Sequence, residues 1–322
     1  MDEQLKGVMK MIRNITIIGS GVMGTGIAQS FALNGYRVTL NDISQEYLAK
    51  ADIRIQADME TMIDEESISL LQKEQALQNI KYEIDIEKAL ELSDFIIEAI
   101  PEVLEMKWKL YSKIEKLISK DTIIASNTST FPISRLAENA SFANRMVITH
   151  FFNPAHLVPL VEIVRHEKTE ESILAKTIEL MRSIGKKPVV VKKEISGFIA
   201  NRLQTALMRE AFYLLNEGVA SAEDIDTAVT AGPGFRWAFT GPIEIADFGG
   251  LDTWQRVFDN VAPELDKAVS APNIIKALVA QNKLGAKSGE GIFHYGEETV
   301  SNKLNDRDRS YIQLNQIKKK DR

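Results

Sequence analysis

The sequence predicts an α/β fold, a mostly parallel sheet followed by an all-helical C-terminal domain. Three observations predict it. Short Ile- and Val-rich runs alternate with longer segments of helical period from Asn14 to Val191, a glycine-rich turn directly follows the first run, and beyond Val191 the alternation gives way to long helical patterns.

The strands fall in order at residues 15–18, 37–40, 95–98, 123–125, 147–150, 161–164 and 189–191. They are short, continuous apolar runs, the type buried on both faces of a parallel sheet. Amphipathic stretches lie between them; Val103, Leu110, Ile114 and Leu117 share one helical face. Gly35 and Gly185 read as helix stops, where glycine accepts the left-handed conformation past the last turn. In the second half a helix runs over residues 198–217 and closes at Gly218, and another starts at Ser221 with Asp224 three residues on. The boundary is placed near Lys193, giving domains 1–193 and 194–322 with a tail from about 303, of which the basic end 318–322 reads as solvated.

Bulk composition limits the functions available. Apolar residues make up 44% and charged residues 26% of 322, the balance of a soluble globular protein, and no apolar run is long enough to span a bilayer. The N-terminus lacks the order of a secretory signal, so a cytoplasmic location is expected. With no cysteine there is no disulfide framework and no thiolate nucleophile, and no metal site is expected. A formal charge of −6, spread along the chain, gives no reason to expect nucleic acid as a partner.

The glycine-rich turn carries the first chemistry. Gly19-Ser-Gly21-Val22-Met23-Gly24 follows a strand and opens a helix, and the next strand ends in Asp42. This is the context in which GxGxxG is a dinucleotide fingerprint: the backbone turns tightly and comes close to a pyrophosphate, whose charge rests on the free N–H groups of the helix start. The N-terminal domain is therefore Rossmann-like. Asp42 suits the hydroxyls of the ribose and repels a 2′-phosphate, and no arginine follows it directly, so NAD is the expected cofactor rather than NADP.

Two further segments follow strands, Ser126-Asn127-Thr128-Ser129-Thr130 and His150-Phe151-Phe152-Asn153-Pro154, so both sit beyond carboxyl ends, where open α/β sheets bind ligands. A histidine on a buried strand is ordinarily a core residue. Oxidising a secondary alcohol by hydride loss, however, also requires loss of the hydroxyl proton, and histidine is the side chain that takes it near neutral pH. Glu162, on the following strand, can hold the ring in one tautomer and stabilise its cation.

Seven motifs in one order complete the picture: the glycine loop, Glu98-Ala-Ile-Pro-Glu102, residues 126–129, residues 150–154, Leu160-Val-Glu162, Gly197-Phe-Ile-Ala-Asn201-Arg202 and Lys287-Ser-Gly-Glu-Gly291. In this the chain resembles the L-3-hydroxyacyl-CoA dehydrogenase family over nearly its whole length, to about Gly296. The resemblance implies His150 as general acid and base, Glu162 as its partner, and Ser129 and Asn201 as hydrogen-bonding groups around the substrate. It places Glu102 and Lys107 near the cofactor, Asn127 and Asn153 near the nicotinamide end, and Lys287 reaching in from the far end of the chain. It further implies a small-molecule substrate, 3-hydroxybutyryl-CoA in the simplest case, and a homodimer formed through the helical domain.

The chain departs from that family in three places. Where relatives that use coenzyme A carry a serine and a lysine, an ungapped count reaches Asp58 and Glu65, a poor cradle for a phosphate, with Lys50, Arg54 and Lys73 as the neighbouring cations. Pro159 stands where a lysine is usual. The segment Gly232-Pro-Gly-Phe-Arg-Trp-Ala-Phe-Thr-Gly-Pro242 resembles the branch acting on free acids such as carnitine and gulonate, with Arg236 suited to a carboxylate and Trp237 to a quaternary ammonium. A dehydrogenase of a free 3-hydroxy acid is the alternative. A cofactor-binding structural protein would not need the Ser129, His150, Glu162 and Asn201 set. A 3-hydroxyisobutyrate-type enzyme would use a lysine in place of the His–Glu pair.

Overall fold

The structure is a computed structural model, and it describes residues 11–320. Two compact units divide the chain, one of Met1–Ile199 with Leu304–Arg322 and the other of Ala200–Lys303.

The first unit holds a single eight-stranded sheet: β1 (Asn14–Ile18), β2 (Arg37–Asn41), β3 (Ile80–Glu83), β4 (Phe95–Glu98), β5 (Ile123–Ser126), β6 (Met146–Phe151), β7 (Leu160–Arg165) and β8 (Lys187–Val191). Its helices are α1 (Val22–Ala32), α2 (Gln45–Asp64), α3 (Leu70–Gln78), α4 (Ile86–Leu90), α5 (Leu104–Ile114), α6 (Ile133–Leu136) and α7 (Glu171–Ser183). The strand order is β3-β2-β1-β4-β5-β6-β7-β8. All neighbours are parallel except β6 and β7, which are joined by residues 152–159 without a crossover helix, a connection that only an antiparallel pair permits.

Side chains divide between the two faces of the sheet by their alternation. Ile15, Ile17, Phe95, Ile97, Val147, Val161 and Ile163 pack on one side with Ile27 and Phe31 of α1, Ile55 and Met59 of α2, and Met181 of α7. Ile18, Ile96, Ile124, Ile148 and Val164 pack on the other with Tyr111 and Ile114 of α5 and Leu136 of α6. That second face also carries Glu98, Ser126, His150 and Glu162, at the carboxyl ends of β4, β5 and β6 and on β7 opposite them. The seven strands read from the sequence are all present, 95–98 with the same bounds and the others extended by a residue or two; β3 is additional. It is an edge strand in which only Ile80 is buried, so its four residues carry no apolar run.

The second unit is helical: α8 (Ala200–Asn216), α9 (Ala222–Ala231), α10 (Pro233–Trp237), α11 (Pro242–Gly249), α12 (Leu251–Val261), α13 (Asn273–Ala280) and the start of α14 (Glu297–Lys320). Ser221 caps α9 by accepting from the Asp224 N–H, and Gly218 takes a positive φ of 66° after α8, as the sequence predicts.

The division falls after Ile199, six residues beyond the expected boundary (199 − 193 = 6), and the stretch from about 303 is no loose tail. From Leu304 it is helix α14 and groups with the first unit, where Ile312 is buried with Met62 and Leu157. Arg309 binds Asp64 and Glu65, Gln313 and Gln316 donate to Glu65, and Asn315 donates to the Leu157 carbonyl. Of the basic end, Asp321 and Arg322 lie outside the described residues. No helix among the described residues is long and apolar enough to cross a membrane.

Candidate active site

At the carboxyl ends of β1 and β4 the chain crosses to opposite sides of the sheet, and a cleft of about 1150 Å³ opens there. Gly19, Gly21, Val22, Met23 and Asp42 line it, with residues 99–101 on the far wall. Gly19 and Gly24 each answer a steric demand within the protein, and Gly21 leaves space for a ligand. Gly19 has φ +106°, and a Cβ on it would lie 2.6 Å from the Ala99 carbonyl oxygen. A Cβ on Gly24 would lie 1.9 Å from the Gly19 carbonyl, which is why the helix can pack so close to the turn. A Cβ on Gly21 would meet nothing within 4 Å, so the backbone there faces open space at the start of α1, as a pyrophosphate-binding turn requires. The residues present therefore fit a dinucleotide.

His150 and Glu162 are register partners across β6 and β7, and the antiparallel pairing sets them side by side. Nδ1 of His150 lies 2.9 Å from Oε2 of Glu162, and both side chains are buried. A carboxylate only accepts, so Nδ1 is the donor, and in the neutral tautomer this bond selects the lone pair lies on Nε2. The other oxygen of Glu162 accepts from the Ile199 N–H at 2.8 Å, which fixes the carboxylate. Gly197 and Phe198 both take positive φ, 74° and 49°, and the turn lays the Phe198 ring 5.4 Å from the imidazole; Phe152 lies 4.5 Å away. The imidazole is thus buried against two inclined aromatic rings.

A buried polar network underlies the Ser126–Thr130 loop. Glu98, fully buried, receives Lys107 and the Ile100 N–H on one oxygen and the Tyr111 and Ser126 hydroxyls on the other. Lys107 also reaches Glu102 at 3.2 Å. Glu102 in turn accepts from Thr128, from the Ser129 and Thr130 N–H groups and from the Thr130 hydroxyl. Burial opposes ionisation of Glu102, but the Thr128 and Thr130 hydroxyls and the Lys107 cation outweigh it and hold its carboxyl below the ordinary range.

This network assigns several expected residues. Lys107, 1% exposed, builds the site from beneath and does not line the cleft, because its ammonium is already engaged by two carboxylates. Glu102 shapes the loop that presents Ser129, whose own hydroxyl makes no hydrogen bond among the described residues. Asn127 accepts from the Phe151 N–H at 2.9 Å and so ties the end of β5 to the residue after His150, and Asn153 is exposed just beyond. Asn201, Arg236 and Lys287 belong to the second unit. There Asn201 accepts from Gln204, Lys287 is exposed, and Arg236 lines a small pocket with Phe235, Phe239, Thr240, Ile245, Phe248 and Gly249.

The departures at 58 and 65 have structural partners. Asp58 accepts from Gln29 at 2.7 Å, and its carboxyl is pushed up by burial. Glu65 holds α14. Of the neighbouring cations, Lys73 is paired with Glu60 and Lys50 with Glu46. Sequence reasoning named Lys50 and Arg54 only as cations near Asp58 and Glu65, and it missed Ser20 as a cleft residue and Glu98 as the hub of the network. The Glu98-to-Glu102 motif pointed to the last; nothing in the spacing pointed to Ser20.

Known proteins agree with this geometry. Residues 14–195 match the model of the 3-hydroxyacyl-CoA dehydrogenase NAD binding domain, and residues 197–295 that of the 3-hydroxyacyl-CoA dehydrogenase C-terminal domain. The chain is 36% identical over 307 residues to a 5-formyl-3-hydroxy-2-methylpyridine 4-carboxylate 5-dehydrogenase of Mesorhizobium japonicum, covering 95% of this chain and 98% of that one. A solved structure of such a dehydrogenase, described as an NAD+ dependent dismutase, superposes with a TM-score of 0.89 at 35% identity and the same coverage. The (S)-3-hydroxybutyryl-CoA dehydrogenase of Ralstonia eutropha superposes at 0.73 with 34% identity, covering 89% of this chain and all of that one.

Proposed function

The chain belongs to the 3-hydroxyacyl-CoA dehydrogenase family, NAD-dependent enzymes acting on a CH–OH group, and on that premise we propose that His150 and Glu162 form its proton-transfer pair. The observation that carries this is the buried 2.9 Å contact that commits Nδ1 and leaves Nε2 free. NAD, when bound, supplies the hydride acceptor at its nicotinamide. The chain's own part is the proton: Nε2 of His150 takes it from the substrate hydroxyl, and the Glu162 carboxylate stabilises the imidazolium that forms. In the reverse direction the same nitrogen returns it to the carbonyl oxygen. Ser129 would hydrogen-bond the substrate oxygen through its free hydroxyl, and Asn201 enters the proposal on the family resemblance alone.

Of the two substrates the sequence leaves open, a free hydroxy or oxo acid is the better supported, ahead of the 3-hydroxybutyryl-CoA thioester. Glu65, standing where the thioester enzymes resemble one another in carrying a lysine, is an anion engaged in docking α14, and Asp58 is a second carboxylate. The Mesorhizobium relative, whose substrate is by its name a pyridine carboxylate, supports the same reading. Arg236 among aromatic side chains supplies a suitable counter-charge.

Initial rates with NAD(H) over acetoacetyl-CoA, acetoacetate, carnitine, gulonate and an aromatic formyl carboxylate test this. Turnover of free acids without turnover of the thioester is expected. Efficient acetoacetyl-CoA reduction would overturn the substrate reading, and a His150→Gln enzyme of near-native rate would overturn the proton-transfer pair.

A further inference from the structure

The ribose end of the cofactor cleft contains an arrangement that the glycine fingerprint does not require. Ser20, the residue between the first two glycines, donates both its N–H and its hydroxyl to Oδ2 of Asp42, each at 2.7 Å. Oδ1 of Asp42 accepts from the Ile43 N–H at 2.7 Å. The carboxylate is thus fixed before any ligand arrives, with Ser20 filling both lone-pair sites of Oδ2 and one site on Oδ1 still available.

Basic groups line the same cleft, together with the carboxylates of Asp85 and Glu87. Tyr47, Lys50, Ala51 and Arg54 line the same cleft from one face of α2, at the helical spacing that aligns residues three and four apart. Lys50 is exposed and holds only Glu46, one turn earlier on the same exposed surface. Arg54 is exposed and has no hydrogen bond or ion pair among the described residues. Two cations on the wall beside Asp42 are what a 2′-phosphate needs, and a clamped anion is what keeps it out.

We propose that Ser20 is the positioning residue that sets Asp42 for ribose recognition, and that Lys50 and Arg54 make the same cleft a latent 2′-phosphate seat which the clamped carboxylate holds closed. Selectivity for NAD then rests on the Ser20–Asp42 contact, while the basic wall supplies the attraction that would favour NADP once that contact is gone. This concerns binding of the cofactor alone and is independent of which substrate is turned over.

Calorimetric titration of the full chain with NAD, NADP and 2′-deoxy-NAD tests it. Removing a hydrogen bond to a charged group should cost Ser20→Ala about tenfold in NAD affinity. NADP should not weaken in parallel, and the loss should shrink for 2′-deoxy-NAD. Ser20→Gly, equally without the hydroxyl, should repeat the shift and stands in if the alanine variant does not fold. Asp42→Ala should raise NADP affinity, and adding Lys50→Ala and Arg54→Ala should abolish that gain. Equal weakening of all three ligands by both Ser20 variants would overturn the clamp. NADP affinity unchanged in Asp42→Ala, or a gain indifferent to Lys50 and Arg54, would overturn the latent seat.

Discussion

In the first unit both faces of the sheet are sealed by helices and even charged groups such as Glu98 and Lys107 are buried, whereas among the described residues of 200–303 none is buried. Phe235, Ile243 and Phe248 of the second unit are 71%, 84% and 76% exposed. The first unit therefore carries its own core and can hold reacting groups to fractions of an ångström, while the second leaves helix faces whose apolar residues need cover. A second copy of the chain, joined through those helices, is the cover the family resemblance implies, and we propose it here.

The contrast breaks most readily at the chemistry. If proton transfer belongs to the rigid unit, His150→Gln should lower turnover by about 10²- to 10⁴-fold with NAD binding and melting behaviour preserved. A loss of less than tenfold would move the base elsewhere. Glu162→Gln should also lower turnover, by less, because the ring keeps a hydrogen-bond acceptor but loses the charge that stabilises its cation.

Ion pairs sharpen the same contrast. Lys107→Met leaves the buried Glu98 carboxylate without its cation, and breaking a buried pair from one side costs roughly 3–5 kcal/mol. Arg256→Ala removes an exposed i,i+4 pair with Asp252 in the second unit and should cost less than about 0.5 kcal/mol. Urea unfolding midpoints of the two variants give the comparison directly. Equal shifts would mean that the two units are not so differently built.

Acid should act on the first unit at the seam with α14. Burial pulls the His156 pKa down to about 4, against the field of Asp308 and with that of Lys186 and Arg307. The folded state thus binds this proton later than the unfolded chain does, so stability is complete above about pH 6.5 and falls as pH drops towards 4. The loss is at most about 3 kcal/mol, by 1.36 kcal/mol per pKa unit. Stability curves of the native chain and His156→Asn should run parallel above about pH 6.5 and differ in slope between there and pH 4, the native chain losing stability faster; curves parallel throughout would show that His156 is not the titrating group.

What the sequence made legible follows from how each feature is encoded. The glycine loop was readable because Gly19 and Gly24 answer steric demands that no other residue meets, and the inner strands because burial on both faces leaves unbroken Ile and Val runs. The His150–Glu162 pair followed from motif order, and the structure adds why the two side chains meet: β7 runs back along β6. Edge strand β3 was invisible because Lys81 and Glu83 interrupt it. The docking of α14 was invisible because it depends on Arg309, Gln313, Asn315 and Gln316 with a single buried Ile312, a pattern without hydrophobic period. The Ser20–Asp42 contact joins residues on separate strands' ends through a hydroxyl, which periodicity cannot register.

The exposed helices of the second unit can be tested by placing a charge on them. Phe248 closes α11 and forms part of the aromatic pocket around Arg236, so a charge there meets water in a single copy but apolar surface in a dimer. Phe248→Glu should weaken self-association by about tenfold or more, since an aromatic anchor is replaced by a desolvated charge. It should leave NAD binding by the first unit unchanged, because the glycine loop and Asp42 lie wholly within that unit. Sedimentation over a concentration series reads the first quantity and calorimetry the second. If the native chain sediments as a monomer throughout, the exposed faces of the second unit have no second copy to cover them, and the contrast between the units loses its proposed cause.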